Sequence, residues 1–392
     1  MRVAAAVIAS LVLLGGMAAL VYWLSTTPRL QVGEMRNIGE ELLDPSVPVA
    51  YEIEEVARGL EVPWSIVFTS ENRMLVSERP GRIRVIENGV VREDPLHTFP
   101  DVSSRAEEGL MSLALHPQYD STRWVYAVYA YASGNEMFDR VVRFRDEGDS
   151  ISGLTIILDR IPAARFHAGS RLAFGPDGKL YVTTGDATNR TIAQDLDSLG
   201  GKILRLNDDG SIPSDNPFPN SPVWSYGHRN PQGIAWDTSG NLYETEHGPS
   251  GFDGPGGGDE VNRIVKGGNY GWPLVSHNET QEGTVAPLLV FTPAEAPGSA
   301  LVYSGRAFPQ FEGNLFFGAL IGEGLIRVVI DENDADRIVR YEKLSDVRFG
   351  RIREVTEGPD GAIYFSTSNR DGRGDPAATD DRIFRMIPVG LE

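Results

Sequence analysis

One short pattern recurs along this chain: a tight turn followed by an alternating strand. It reads 175-GPDGKLYVTTGD-186 and again 358-GPDGAIYFSTSN-369, with a looser copy at 237-DTSGNLYETEHG-248. More degenerate copies lie at 68-FTSENRMLVSE-78, 115-LHPQYDSTRWVYAVY-129 and 308-FPQFEGNLFFGAL-320. In such a turn Pro presets φ and Gly supplies a positive φ, and the residues that follow alternate with the period of a strand. The turn centres fall near residues 72, 121, 177, 239, 313 and 360, at intervals of roughly 45 to 75 residues. That spacing holds a four-stranded unit plus loops, and repeats of this period mark solenoids or propellers. From residue 50 onward there is little helical periodicity, so six copies predict an all-β, six-bladed β-propeller. A pair of β-sandwiches, whose hairpins look alike because turn chemistry is limited, is the alternative. In a propeller the functional residues are expected just after the repeats, where loops reach the axis.

The chain of 392 residues carries 55 acidic against 36 basic groups, a net charge of −19. So acidic a surface argues against a nucleic-acid partner, because phosphate binding rests on clustered Lys and Arg. No cysteine is present, which removes disulfides, thiolate metal ligands and cysteine nucleophiles. Residues 3–24, VAAAVIASLVLLGGMAALVYWL, carry no charge and follow Arg2. An apolar run of that length spans the roughly 30 Å hydrocarbon core of a bilayer. It ends on Tyr22-Trp23, which suits a membrane interface, whereas a cleavable signal has a shorter apolar region. Residues 1–24 are therefore expected to form a signal-anchor or transmembrane helix, with a cleaved signal as the alternative. Residues 25–49, with Pro28, Pro45 and Pro48, read as a linker, and 50–392 as the propeller domain. Either way the domain is expected to be extracytoplasmic: membrane-anchored, or secreted if the segment is cleaved.

Four stretches beside the repeats carry unusual side chains. In 165-RFHAGSRLAFGPDG-178, His167 sits among small residues that leave room for a ligand, so it suits a general base; the bland reading is a satisfied turn histidine. Asp186, at the end of the following strand, either orients it or binds substrate, or simply closes a turn. In 226-YGHRNPQG-233, Arg229 offers a planar fork for carboxylates, and Asn230 and Gln232 offer amide donors and acceptors, although a polar turn would look the same. In 246-EHGPSGFDGPGGGDEVNRI-264, the carbonyls of Gly248 and Pro249 suit a hard cation such as Ca²⁺. That spacing is not an EF-hand, and a flexible loop is the alternative. In 348-RFGRIREVTEGPDG-361, Arg351 and Arg353 share one face of a strand and repel unless something anionic sits between them; a surface pair is the alternative. No GxGxxG precedes a helix, and no P-loop, GxSxG elbow or HExxH is present, so nicotinamide, ATP and serine-hydrolase readings lose support.

Together with 60-LEVPWSIVF-68, 108-EGLMSLALHP-117, 200-GGKILRLNDDGS-211 and 259-DEVNRIVKGGNYGWP-273, these stretches resemble the glucose/sorbosone dehydrogenase family. Its members include soluble-type sugar dehydrogenases that use pyrroloquinoline quinone on a six-bladed propeller. The resemblance runs through nearly all of residues 50–390, and GHRNPQG and GGNYGWP are its most specific pieces. It implies that His167 is the base that takes the substrate hydroxyl proton. It implies quinone contacts at Arg229, Asn230 and Gln232, and at the pair Arg351 and Arg353. It implies Ca²⁺ ligation by the carbonyls of Gly248 and Pro249. The implied activity is oxidation of an aldose to its lactone, with electrons passed to an external acceptor. Three departures stand against the pattern. Glu107 or Glu108 stands where some members carry Gln; Ile321 or Gly322 stands where some carry Lys, with Arg370 as a candidate replacement; and 250-SGFDGPGGG-258 reads as an insertion that reshapes the mouth. Two rivals remain open. A Ca²⁺-dependent propeller lactonase would need acidic ligands on the axis, and a non-catalytic sugar-binding propeller would keep only the scaffold.

Overall fold

The computed structural model describes residues 49–389. The expected anchor at 1–24 and all but the last residue of the expected linker lie outside the described residues. Among the described residues no helix is long and apolar enough to cross a membrane.

These residues form six antiparallel sheets, five of four strands and one of five. The first strands of blades 1 to 6 are Pro63–Ser70, Leu110–Leu115, Gly169–Phe174, Pro231–Trp236, Pro297–Val302 and Ile352–Glu357. Each packs against the next, and the last packs against the first, so the sheets close into a ring. Closure comes from the first and last strands of the described residues. Tyr51–Ala57 pairs antiparallel with Ile383–Pro388, placing Tyr51 opposite Pro388 in the sixth blade. The structure is a six-bladed β-propeller, and the paired-sandwich alternative falls.

All six repeats land on the turn between a blade's first and second strands. The two strongest copies show why the pattern is GPDG followed by Tyr. Asp177 accepts the N–H of Lys179 at 3.0 Å and the hydroxyl of Tyr181 at 3.1 Å; Asp360 does the same for Ala362 at 3.1 Å and Tyr364 at 3.0 Å. Gly178 and Gly361 sit at φ 71° and 80°, where a side chain would strain the turn. The aspartate closes the turn and the tyrosine pins it to the returning strand. Between blades, Trp64, Tyr126, Leu172 and Leu204 share one buried cluster. Each such side chain adds about 1.5–3 kcal/mol of burial.

This hairpin logic corrects the expected position of the site. Each hairpin runs away from one face of the ring and returns to it. Residues just before the first strand and just after the second therefore meet at that face, while the repeat turns lie at the other. His167, Asn230 and Arg351 come from the first position; Asp186, His247 and Asp371 come from the second.

Candidate active site

At that face lies a cavity of about 660 Å³. Its lining includes His167, Arg229, Asn230, Gln232, Arg351 and Arg353, so six of the nine residues singled out from the sequence converge there. Its charge is lopsided: five guanidinium groups, from Arg79, Arg229, Arg351, Arg353 and Arg373, face two carboxylates, from Glu107 and Asp371.

His167 is held from both ends. Its φ is 64°, an uncommon left-handed value for a non-glycine residue, and its N–H donates to Glu107 Oε2 at 3.1 Å. Its Nδ1 lies 2.7 Å from Asp186 Oδ1. Asp186 is itself fixed by the N–H of Thr188 and the indole N–H of Trp272, both at 2.8 Å. With Nδ1 directed to Asp186, Nε2 is the ring nitrogen left for a substrate. Asp186 does not line the cavity; it stands behind the histidine and orients it. Trp272 belongs to GGNYGWP, the piece most specific to the family resemblance, yet its position behind Asp186 has no signal in the local sequence.

The paired arginines have the anion that their spacing demands. Asp371 Oδ2 lies 2.9 Å from Arg351 Nε, 2.8 Å from Arg351 Nη2 and 4.0 Å from Arg353 Nη2. Burial pushes the Arg353 guanidinium down to about 10; Asp371 opposes that shift, and Arg351 and Arg79 add to it. Arg351 also donates to the carbonyl of Leu320 at 2.6 Å, and Arg353 reaches Gln232 Oε1 at 3.5 Å. Arg79, which the sequence did not flag, is lowered by burial, and its Nε has no partner. Glu107 is not an intruding acid. Burial raises its carboxyl, but His247 and Arg373 outweigh that and hold it lowered, and Arg373 binds it at 2.7 Å. Arg370 does not replace the absent lysine. Its side chain donates to the carbonyls of Ala377, Ala378 and Asp380, away from the cavity.

Arg229 is gripped by the 250–258 loop. Its Nε meets Asp253 at 2.7 Å, Nη1 the carbonyl of His247 at 3.0 Å and Nη2 Ser250 Oγ at 2.9 Å. Asn230 Oδ1 accepts the N–H of Gly169 at 2.9 Å and Gln232 Nε2 at 3.1 Å, which ties the inner strands of blades 3 and 4. Asn230 and Gln232 thus brace the cavity wall as well as line it.

Gly248 and Pro249 do not line this cavity. They line a neighbouring one of about 10 Å³, with Glu246 and Glu260, and the two cavities share Arg229 and His247. That volume is about one water-sized sphere, large enough for a single ion. Its lining brings carboxylate and backbone-carbonyl residues, whose oxygens Ca²⁺ prefers, beside the Arg229 guanidinium and the His247 imidazole. A Cβ at Gly248 would collide with the carbonyls of Gly257 and Gly258, so only glycine fits. Deeper in blade 4, His228, Glu244 and Glu246 bring one ligand atom each within 4.8 Å of one another. Burial, then Glu246, pushes the Glu244 carboxyl well up. His228 is fully buried between Ser225 and Glu246, a structural position as its place in the turn implies.

Known proteins resemble this chain in sequence and in fold. Residues 60–377 match the family Glucose / Sorbosone dehydrogenase. The aldose sugar dehydrogenase YliI of Escherichia coli strain K12 is 32% identical over 352 residues, covering 83% of this chain and 92% of that one. Quinoprotein glucose dehydrogenase B of Acinetobacter calcoaceticus is 30% identical over 263 residues, covering 58% of this chain and 53% of that one. Among solved structures, the PQQ-bound aldose sugar dehydrogenase of Streptomyces coelicolor superposes with a TM-score of 0.77 at 34% identity, covering 87% of this chain and 99% of that one. With the family match running over residues 60–377, most of the propeller, this chain belongs to the glucose/sorbosone dehydrogenase family.

Proposed function

We propose that the protein oxidises aldoses to their lactones using pyrroloquinoline quinone and Ca²⁺, with electrons passed to an external acceptor. The observation that carries this reading is the oriented His167–Asp186 pair opening onto a cavity with five guanidinium groups. A tricarboxylated quinone fits that donor set: its anionic groups match the excess positive charge, including the buried, unpartnered Nε of Arg79. Arg351, Arg353, Arg229 and Gln232 are the residues that would hold it. Ca²⁺ would be held by the carbonyl oxygens of Gly248 and Pro249. When bound, the quinone supplies the acceptor for the hydride that leaves the aldose C1.

The chain's own part is proton handling and positioning. His167 Nε2 takes the hydroxyl proton as the lactone carbonyl forms, and Asp186 stabilises the resulting imidazolium. Trp272 and Thr188 keep Asp186 in place. The lactonase rival loses ground because both carboxylates lining the cavity are bound to arginines. The uncharged run at 3–24 supports anchoring the enzyme extracytoplasmically, a reading tested by fusing the N-terminal segment to a reporter active only outside the cytoplasm. The function is tested by adding the quinone and Ca²⁺ to cofactor-free protein and following dye reduction with a panel of aldoses. If no aldose reduces the dye, the enzyme reading fails.

A further inference from the structure

Among the described residues, Phe252 is the one Phe, Tyr or Trp that is exposed, at 67%. It comes from the 250–258 loop and lines the large cavity, its ring centre 5.8 Å from that of His167 and inclined at 27°. A single exposed aromatic is ordinary on a protein surface, but this one lines the cavity that holds His167.

The loop that carries the ring is held in place on both sides of it. The next residue, Asp253, binds Arg229 Nε, and its carbonyl accepts Arg190 Nη1 at 3.1 Å. Ser250, two residues earlier, binds Arg229 Nη2. Arg229 is 2% exposed, so the loop is rooted in a buried cation rather than lying loose on the surface. Ile321, 62% exposed, lines the same cavity.

We propose that Phe252 is the platform on which a pyranose ring lies, so that the site selects ring sugars with C–H bonds gathered on one face. This rests on the dehydrogenase reading. Charged groups inside the cavity bind hydroxyls but do not distinguish the face of a sugar from its edge. A flat aromatic does, because it gains dispersion and buried area only against the C–H face. A ring lying on Phe252 stands near His167, whose ring centre is 5.8 Å from that of Phe252. An open-chain polyol with as many hydroxyls has no such face, so Phe252 adds little to its binding.

The test compares wild type with Phe252→Ala and Phe252→Tyr. With quinone and Ca²⁺ bound, F252A raises KM for glucose about tenfold, F252Y restores it, and the loss is carried by KM rather than kcat. Quinone affinity, read by absorbance titration, stays level across the three proteins. In cofactor-free protein, saturation-transfer NMR passes magnetisation from aromatic protons to glucose C–H protons in wild type but not in F252A, and sorbitol receives none in either. An unchanged KM in F252A, or a loss traced to weaker quinone binding, overturns the platform. If wild type oxidises no sugar at all, the dehydrogenase reading fails by itself, and the NMR comparison still decides the platform.

Discussion

Asp371→Asn tests the charge arrangement of the cavity. The carboxylate's side chain is only 4% exposed and sits against Arg351 and near Arg353. Removing one partner of a buried ion pair costs about 3–5 kcal/mol, because the remaining charge is left uncompensated. Asn keeps an oxygen that can accept one Arg351 N–H, which places the loss near the lower end, about 3 kcal/mol. A domain of this size has about 0.7 kcal/mol/K of unfolding entropy, so the melting temperature of cofactor-free D371N falls by about 4 °C. The same change makes the cavity more positive. Adding pyrroloquinoline quinone therefore raises the melting temperature of D371N by more than that of wild type. The difference also has a defined pH window. Burial raises the Asp371 carboxyl, but Arg351 and Arg353 outweigh it and leave the folded value lowered. Its stabilising contribution is thus present above the unfolded value of about 4 and disappears as pH falls through the lowered folded value. Differential scanning fluorimetry from pH 3 to 8, with and without quinone, reads all three effects. Equal melting temperatures at pH 7 without quinone would refute the reasoning.

Gly248→Ala drives a methyl group into the carbonyls of Gly257 and Gly258, so calorimetric Ca²⁺ affinity drops at least tenfold while EDTA-treated wild type regains full affinity on adding Ca²⁺. Asp139 is buried beside Glu108, and burial raises its carboxyl to about 7. A raised folded value gives stability that is full below the unfolded value of about 4 and is lost as pH rises toward 7. Asp139→Asn removes that loss, so its melting temperature gains on wild type between pH 4 and 7; a constant difference across that range would contradict this.

The blade count was legible because Asp-Gly turns and the following Tyr are local chemistry, and each copy marks one hairpin. The degenerate copies at 121 and 313 carry short helical turns, Tyr119–Thr122 and Pro309–Phe311, in place of the tight turn, which is why they were faint. His167, Arg229 and Arg351 were legible because they flank the strong repeats. Arg79 was not: a lone Arg at a strand end has no local sign that ring closure will aim it at the axis. Asp371 follows the last strong repeat in a polar loop, and only the fold brings it onto Arg351. The sequence demanded an anion between Arg351 and Arg353 and pointed to a ligand, whereas part of that demand is met by the protein itself.

The central claim is that His167, oriented by Asp186, takes the proton as aldose electrons leave. Its most direct test is single-turnover reduction of bound quinone by glucose, followed anaerobically by absorbance, in wild type and His167→Ala loaded to equal occupancy. The account predicts reduction in wild type and a rate about 10²–10⁴-fold lower in H167A. Equal rates in the two proteins would contradict it.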